Sequence, residues 1–94
     1  LSPHISHQIY FILKECLINV QKHAQASHVH LQGQLTSLGV HLEVEDDGVG
    51  FVAKQPFTGF GLKGISERVQ MLGGELEIDS ILGQGTLIQI NIPL

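Results

Sequence analysis

Three short stretches of the sequence carry side chains whose chemistry goes beyond packing. Glu15, Asn19, Lys22 and His23 are spaced by three or four residues or fewer, so on a helix they share one side. Glu and Lys at such spacing are common on a solvated face. Asn is the informative member: it is a modest helix former, and its amide oxygen is a ligand for Mg²⁺, a hard cation that shares oxygen ligands with phosphates. The second stretch, Glu45-Asp46-Asp47-Gly48-Val49-Gly50-Phe51, sets a carboxylate pair directly before a pair of glycines. An acidic turn accounts for those residue types through backbone preference alone. A carboxylate fixed at a strand end also accepts a hydrogen bond from an exocyclic amine such as that of adenine, and glycines let backbone pack against a flat base. The third stretch, Gly59-Phe60-Gly61-Leu62-Lys63-Gly64, opens a helical pattern, where free N–H groups and the helix dipole favour an anion such as phosphate. It lacks both the glycine spacing of a dinucleotide fingerprint and the Gly-Lys-Ser/Thr ending of a P-loop.

These stretches need elements to hold them. From about His7 to Ala24, the residues Ile9, Ile12, Leu13, Cys16, Leu17 and Val20 recur at helical spacing after Pro3, which predicts an amphipathic helix carrying the first group. Val29, Leu31 and Leu35 alternate with polar neighbours from Ser27 to Leu35, and Val40, Leu42 and Val44 alternate with His41, Glu43 and Glu45 beyond a turn at Ser37-Leu38-Gly39. That pattern predicts a hairpin with one wet face, whose second strand ends at the acidic stretch. Ile65, Val69 and Leu72 mark a second helix ended by Gly73-Gly74, and strands near Glu75 to Asp79 and Thr86 to Ile92 follow, joined by a turn at Gly83-Gln84-Gly85. The order implies a two-layer α/β sandwich with helices on one face of a mixed, mostly antiparallel sheet. The segment from Val52 to Thr58 has no periodicity and reads as a short lid between the glycine clusters.

With 94 residues the chain supports a single domain, 1–94, with one core. No apolar run approaches the roughly 20 residues that span a bilayer, so no membrane contact is expected. A net charge of −4 with five Lys and Arg excludes the broad basic face that nucleic acid requires, and leaves a protein or small-molecule partner. The single cysteine, Cys16, falls among Leu13, Leu17 and Val20 and reads as core, consistent with a reducing cytoplasm. His4, His7, His28, His30 and His41 show no metal-ligand spacing, although His28 and His30 share a strand face; Glu67 and Arg68 read as a solvated helix face. The chain opens at Leu1-Ser2-Pro3 without an initiator Met, which reads as a piece of a longer protein.

Taken together and in this order, the stretches resemble the Bergerat-fold ATPases, the superfamily of DNA gyrase, heat-shock chaperone ATPases, mismatch-repair ATPases and histidine kinases. Glu15-Cys16-Leu17-Ile18-Asn19-Val20-Gln21-Lys22-His23-Ala24 looks like the N box, Asp46-Asp47-Gly48-Val49-Gly50-Phe51 like the G1 box, and Gly59-Phe60-Gly61-Leu62 like the G2 box. Gly83-Gln84-Gly85-Thr86 resembles the closing motif. The Lys-His-Ala ending, the short lid and the Gly-Leu-x-Gly-Ile-x-Glu-Arg run are similar to sensor kinases of the nitrate-sensor and sugar-phosphate-sensor class.

That resemblance implies a role for each matching residue. Asp46 accepts from the adenine amine with Thr86 assisting, Gly48 and Gly50 shape the base pocket, and Asn19 holds Mg²⁺ against the phosphates of ATP. Glu15 orients metal-bound water, Lys22 and His23 approach the phosphates, and backbone at Gly59, Gly61, Leu62 and Lys63 cradles them. Asp47 departs from the pattern, standing where many relatives have Asn. The implied reaction is transfer of the γ-phosphoryl of ATP to a histidine on dimerisation and phosphoacceptor helices, expected upstream of Leu1, and onward to a response regulator. The isolated chain is then expected to bind ATP without phosphorylating itself. An anti-sigma-factor-like serine kinase or nucleotide switch, and a non-enzymatic interaction domain, are alternatives on the same fold.

Overall fold

The computed structural model describes residues 2–52 and 61–94. The first helix, α1, spans Pro3–Asn19. It starts earlier than the apolar periodicity indicates, because Ser2 caps it by accepting from Ile5 N–H at 3.2 Å and Pro3 fits the first turn, where no N–H partner is needed. Its buried stripe is Ile9, Ile12 and Cys16, while Leu17 turns 41% exposed, away from the core where the sequence pattern puts it. The last part of the expected helix is a π-helical turn, Val20–Ala24, closed by Gln25 in the left-handed region (φ 52°). Such wide turns recur at functional sites.

Four strands follow the expected boundaries to within two residues: β1 Val29–Thr36, β2 Gly39–Asp46, β3 Glu75–Ile81 and β4 Gly85–Pro93. They form one sheet in the order β1-β2-β4-β3, with every ladder antiparallel among the described residues. The second helix, α2 Leu62–Met71, lies between β2 and β3 in the chain, and those two strands run in the same direction on either side of β4. The predicted two-layer sandwich is therefore built around a split β-α-β unit. Gly73-Gly74 ends α2 as expected: Gly74 N–H reaches Val69 C=O and Gly73 N–H reaches Gln70 C=O, both at 2.9 Å, with Gly73 at φ 72°.

The core lies between the helices and the central strands, with Val40, Leu42 and Val44 of β2 and Ile88, Ile90 and Ile92 of β4 facing Ile9, Ile12 and Cys16 of α1 and Leu62, Ile65 and Val69 of α2. Strand β1 contributes nothing to it. Val29, Leu31 and Leu35 lie opposite Asp46, Val44 and Val40 on the helix-facing side, yet are 43%, 47% and 63% exposed, so β1 is wet on both faces and not on the one expected. The reason is width: the helix layer covers β2 and β4 and stops short of the β1 edge. Arg68, read as solvated from the sequence, instead ties the helices together. It donates to Gln8 Oε1 at 2.9 Å and lies 4.9 Å from the centre of the Phe11 ring. No helix among the described residues is long and apolar enough to cross a membrane.

Candidate functional site

Alternation along the strands decides which side chains meet at the end of the core. Cross-strand partners on the helix-facing side form successive rows: Leu42, Ile90 and Leu76, then Val44, Ile88 and Ile78, then Asp46, Thr86 and Ser80. The first two rows are apolar and the third is polar. The polar row stands where the core opens into a narrow cavity between the helices and the sheet. Cys16, Asn19, Val20, His23 and Ala24 line it from α1 and the π turn, Asp46, Thr86 and Ile88 from the sheet, Gly50 and Phe51 from the loop after β2, and Leu62 from α2. A mostly apolar slot with one carboxylate, one hydroxyl, one amide and one imidazole is suited to a flat heteroaromatic ring with a polar edge.

Asp46 is 8% exposed, and its Oδ1 accepts from Gly48 N–H at 2.8 Å, which fixes the carboxylate and leaves Oδ2 as its remaining acceptor. Thr86, also 8% exposed, places Oγ1 2.7 Å from Ser80 Oγ. The loop after β2 is held at several points. Val49 N–H donates to Ala24 C=O at 2.7 Å, Gly83 N–H donates to Val49 C=O at 2.7 Å, and Phe51 N–H donates to Ser80 Oγ at 2.8 Å. Gly48 is required for this closure, since a Cβ there would lie 2.2 Å from the Ala24 carbonyl oxygen. Gly50 is at φ 67°, where a side chain would also meet Ile81 C=O at 2.2 Å.

At the other end of the site, α2 begins at Gly61 in the left-handed region (φ 72°), and among the described residues no side chain caps its first N–H groups. A Cβ on Gly61 would stand 3.4 Å from Asn19 Oδ1 and 3.5 Å from Glu15 Oε2, so both oxygens face the start of α2. Asn19 Nδ2 is the buried side-chain polar atom without a hydrogen-bond partner among the described residues. Unpaired buried donors are rare in folded proteins and call for a partner.

The profile of the family described as histidine kinase-, DNA gyrase B- and HSP90-like ATPase matches residues 4–94. This chain is a member of that ATPase family. It is 38% identical over 92 residues to the histidine-protein kinase/phosphatase DegS of Brevibacillus brevis, covering 97% of this chain and 24% of that protein. It is 35% identical over 88 residues to the oxygen sensor histidine kinase NreB of Staphylococcus carnosus, covering 92% and 25%. The histidine kinase domain of the Erythrobacter litoralis EL346 blue-light activated histidine kinase superposes with a TM-score of 0.78 at 32% identity, covering 93% of this chain and 43% of that one. The chain thus spans about a quarter of the curated relatives it matches.

Within this ATPase-family domain the predicted residues divide into groups. Asn19, His23, Asp46, Gly50, Leu62 and Thr86 line one cavity, with Glu15 and Gly61 beside Asn19 and Gly48 buttressing the loop. Lys22 on the π turn and Lys63 on α2 are exposed and do not line it. Gly59 and most of the expected lid fall outside the described residues. Asp47 points elsewhere and braces the chain before β1. Its Oδ1 accepts from Ser27 N–H at 2.8 Å and His28 N–H at 2.9 Å, and its Oδ2 lies 3.2 Å from His28 Nδ1. Those His28 bonds, with Ser27, hold the Asp47 carboxyl below its ordinary range. Cys16 is core as expected and also lines the cavity, and burial pushes its thiol up to about 12, far from the reactive thiolate. Sequence reasoning missed Ser80, although the alternation Leu76, Ile78, Ser80 puts a hydroxyl on the core-facing side of a strand.

Proposed function

We propose that this chain binds Mg²⁺-ATP in the cavity and presents the γ-phosphoryl to a histidine carried by another segment of a sensor kinase. The observation that carries this reading is the pairing of a polar row, Asp46 and Thr86, at one end of an apolar slot with Asn19 and Glu15 oxygens against the start of α2 at the other. An adenine ring suits the slot, and phosphates suit the helix start. Asp46 Oδ2 accepts from the exocyclic amine, and Thr86 assists at the polar edge of the base. Gly48 and Gly50 keep the loop close enough to wall the ring. Backbone N–H groups of Gly61, Leu62 and Lys63, with Gly59 before them, receive the phosphates. His23 approaches them from the cavity wall and Lys22 from the exposed side of the π turn.

The donor set fits Mg²⁺, because Asn19 Oδ1 is a hard oxygen ligand, Glu15 Oε2 stands one helical turn away where it can hold metal-bound water, and the ion takes its remaining ligands from water and phosphate. Bound there, it would neutralise phosphate charge, with Asn19 holding it and Glu15 orienting its water. Phosphoryl transfer asks little covalent chemistry of the protein, so the contribution of these residues is alignment and charge stabilisation. The acceptor histidine, its dimerisation helices and a response regulator in the cytoplasm complete the proposed pathway. Replacing Asn19 with Ala tests the metal assignment: the gain in ADP affinity on adding Mg²⁺ is expected to vanish while metal-free binding persists. An equal loss with and without metal makes Asn19 a structural residue and removes the assignment.

A further inference from the structure

We propose that Ser80, which does not line the cavity, is a positioning residue that turns Thr86 into a hydrogen-bond acceptor and so favours a 6-amino over a 6-oxo purine nucleotide. The inference rests on the nucleotide reading above and deepens it. Ser80 Oγ has close partners on three sides: Phe51 N at 2.8 Å, Thr86 Oγ1 at 2.7 Å and Gly85 C=O at 3.3 Å. A serine hydroxyl has one proton to give and two lone pairs to fill. Phe51 N–H can only donate and Gly85 C=O can only accept. If Ser80 gave its proton to Thr86, the Gly85 contact would be no bond. If Ser80 donates to Gly85 C=O, it accepts from both Phe51 N–H and the Thr86 hydroxyl, and all three contacts are satisfied.

The second arrangement uses the full capacity of Ser80 and spends the Thr86 proton on it. Thr86 then shows the cavity only lone pairs, beside an Asp46 carboxylate that is also an acceptor when ionised. An amine at position 6 of a purine meets two acceptors with two protons. A carbonyl at that position meets acceptors with lone pairs, and neither neighbour can offer it a proton. Without the Ser80 hydroxyl, the Thr86 proton is free to rotate into the cavity and donate to a 6-oxo group. Ser80 also holds Phe51 in the wall, but a loosened wall weakens both nucleotides alike, whereas a freed proton changes their ratio.

The test measures calorimetric affinities of the 94-residue chain for ADP and inosine diphosphate in the presence of Mg²⁺, on wild type, Ser80→Ala, Ser80→Thr, Thr86→Val and the Ser80→Ala/Thr86→Val double variant. One hydrogen bond gained by the 6-oxo nucleotide corresponds to about threefold to tenfold. Ser80→Ala should lower the ADP preference by that factor, chiefly through tighter inosine diphosphate binding, and Ser80→Thr should keep the wild-type ratio. In the Thr86→Val background Ser80→Ala should leave the ratio unchanged, because the group it acts through is gone. Should Ser80→Ala not fold, Ser80→Cys, whose thiol is a weak donor and acceptor, takes its place with the same expected direction. Equal weakening of both nucleotides by loss of the hydroxyl, or a ratio change that persists without the Thr86 hydroxyl, overturns the role of Ser80. Wild type that binds both nucleotides equally overturns the 6-amino preference and with it the role of Ser80, whereas wild type that binds neither overturns the nucleotide reading itself.

Discussion

Replacing Asp46 with Asn separates the chemistry of this carboxylate from its structural duty. The structural duty is the 2.8 Å bond from Gly48 N–H to Oδ1, and an asparagine side-chain oxygen accepts that bond equally well. With that oxygen committed, the group replacing Oδ2 is an NH₂. It meets the proposed adenine amine as donor against donor. A hydrogen bond to a charged acceptor is worth about 1.5–3 kcal/mol, so ADP affinity should fall by about 10-fold to 150-fold. The same NH₂ offers a proton to a 6-oxo group, so inosine diphosphate should lose less than ADP or gain. Isothermal calorimetry gives both affinities, and thermal unfolding monitors the fold, which should be retained because the Gly48 bond survives. Unchanged ADP affinity in a folded Asp46→Asn variant would falsify the assignment of Asp46 to the base. Loss of affinity together with a collapsed unfolding transition would show that the carboxylate serves the loop instead.

Two further outcomes follow from the geometry. Gly48→Ala drives a Cβ to 2.2 Å from the Ala24 carbonyl oxygen and 2.7 Å from Ala24 Cβ, and should cost about 1–3 kcal/mol in chemical denaturation. Gly64→Ala, inside α2 with nothing among the described residues within 4 Å, should stabilise by about 0.8–1 kcal/mol, and equal effects at the two glycines would contradict this account of the loop. The His41 ring bridges Glu43 Oε1 at 2.9 Å and Asn91 Oδ1 at 2.7 Å, and these bonds raise the His41 pKa above 6.5 and hold Glu43 below 4.5. The histidine contribution is full below its unfolded pKa and lost as pH rises through the higher folded value. The glutamate contribution is present above its unfolded pKa and lost as pH falls through the lower folded one. The Tm advantage of wild type over His41→Gln should therefore be larger near about pH 5.5 than near about pH 9, and a pH-independent difference would refute the pairing.

Much of the site was legible because its residues sit at places where sequence pattern and chemistry coincide. The strict alternation of β2 and β4 fixes which residues face the helices, and so brings Asp46 and Thr86 side by side as cross-strand partners. Helical spacing likewise puts Glu15 and Asn19 on one side of α1, where both meet Gly61. What escaped depends on closure in three dimensions. Periodicity cannot reveal that the helix widens into a π turn at Val20–Ala24, and that turn carries the Ala24 carbonyl bonded by Val49 N–H. Alternation in β1 shows a side that matches the core but not whether a helix reaches it, and Leu31 and Leu35 stay exposed. Ser80 carries no motif of its own. Its meaning comes from Phe51 and Thr86, which are distant in sequence or on another strand, and only the fold brings them to one hydroxyl.

The central claim is that the cavity between α1, the polar row and the start of α2 holds an adenine nucleotide. Titration of the chain with ADP and Mg²⁺ in a calorimeter tests it most directly. The account predicts saturable one-to-one binding that Asp46→Asn weakens. Absence of measurable heat of binding at millimolar nucleotide from a folded chain would contradict it.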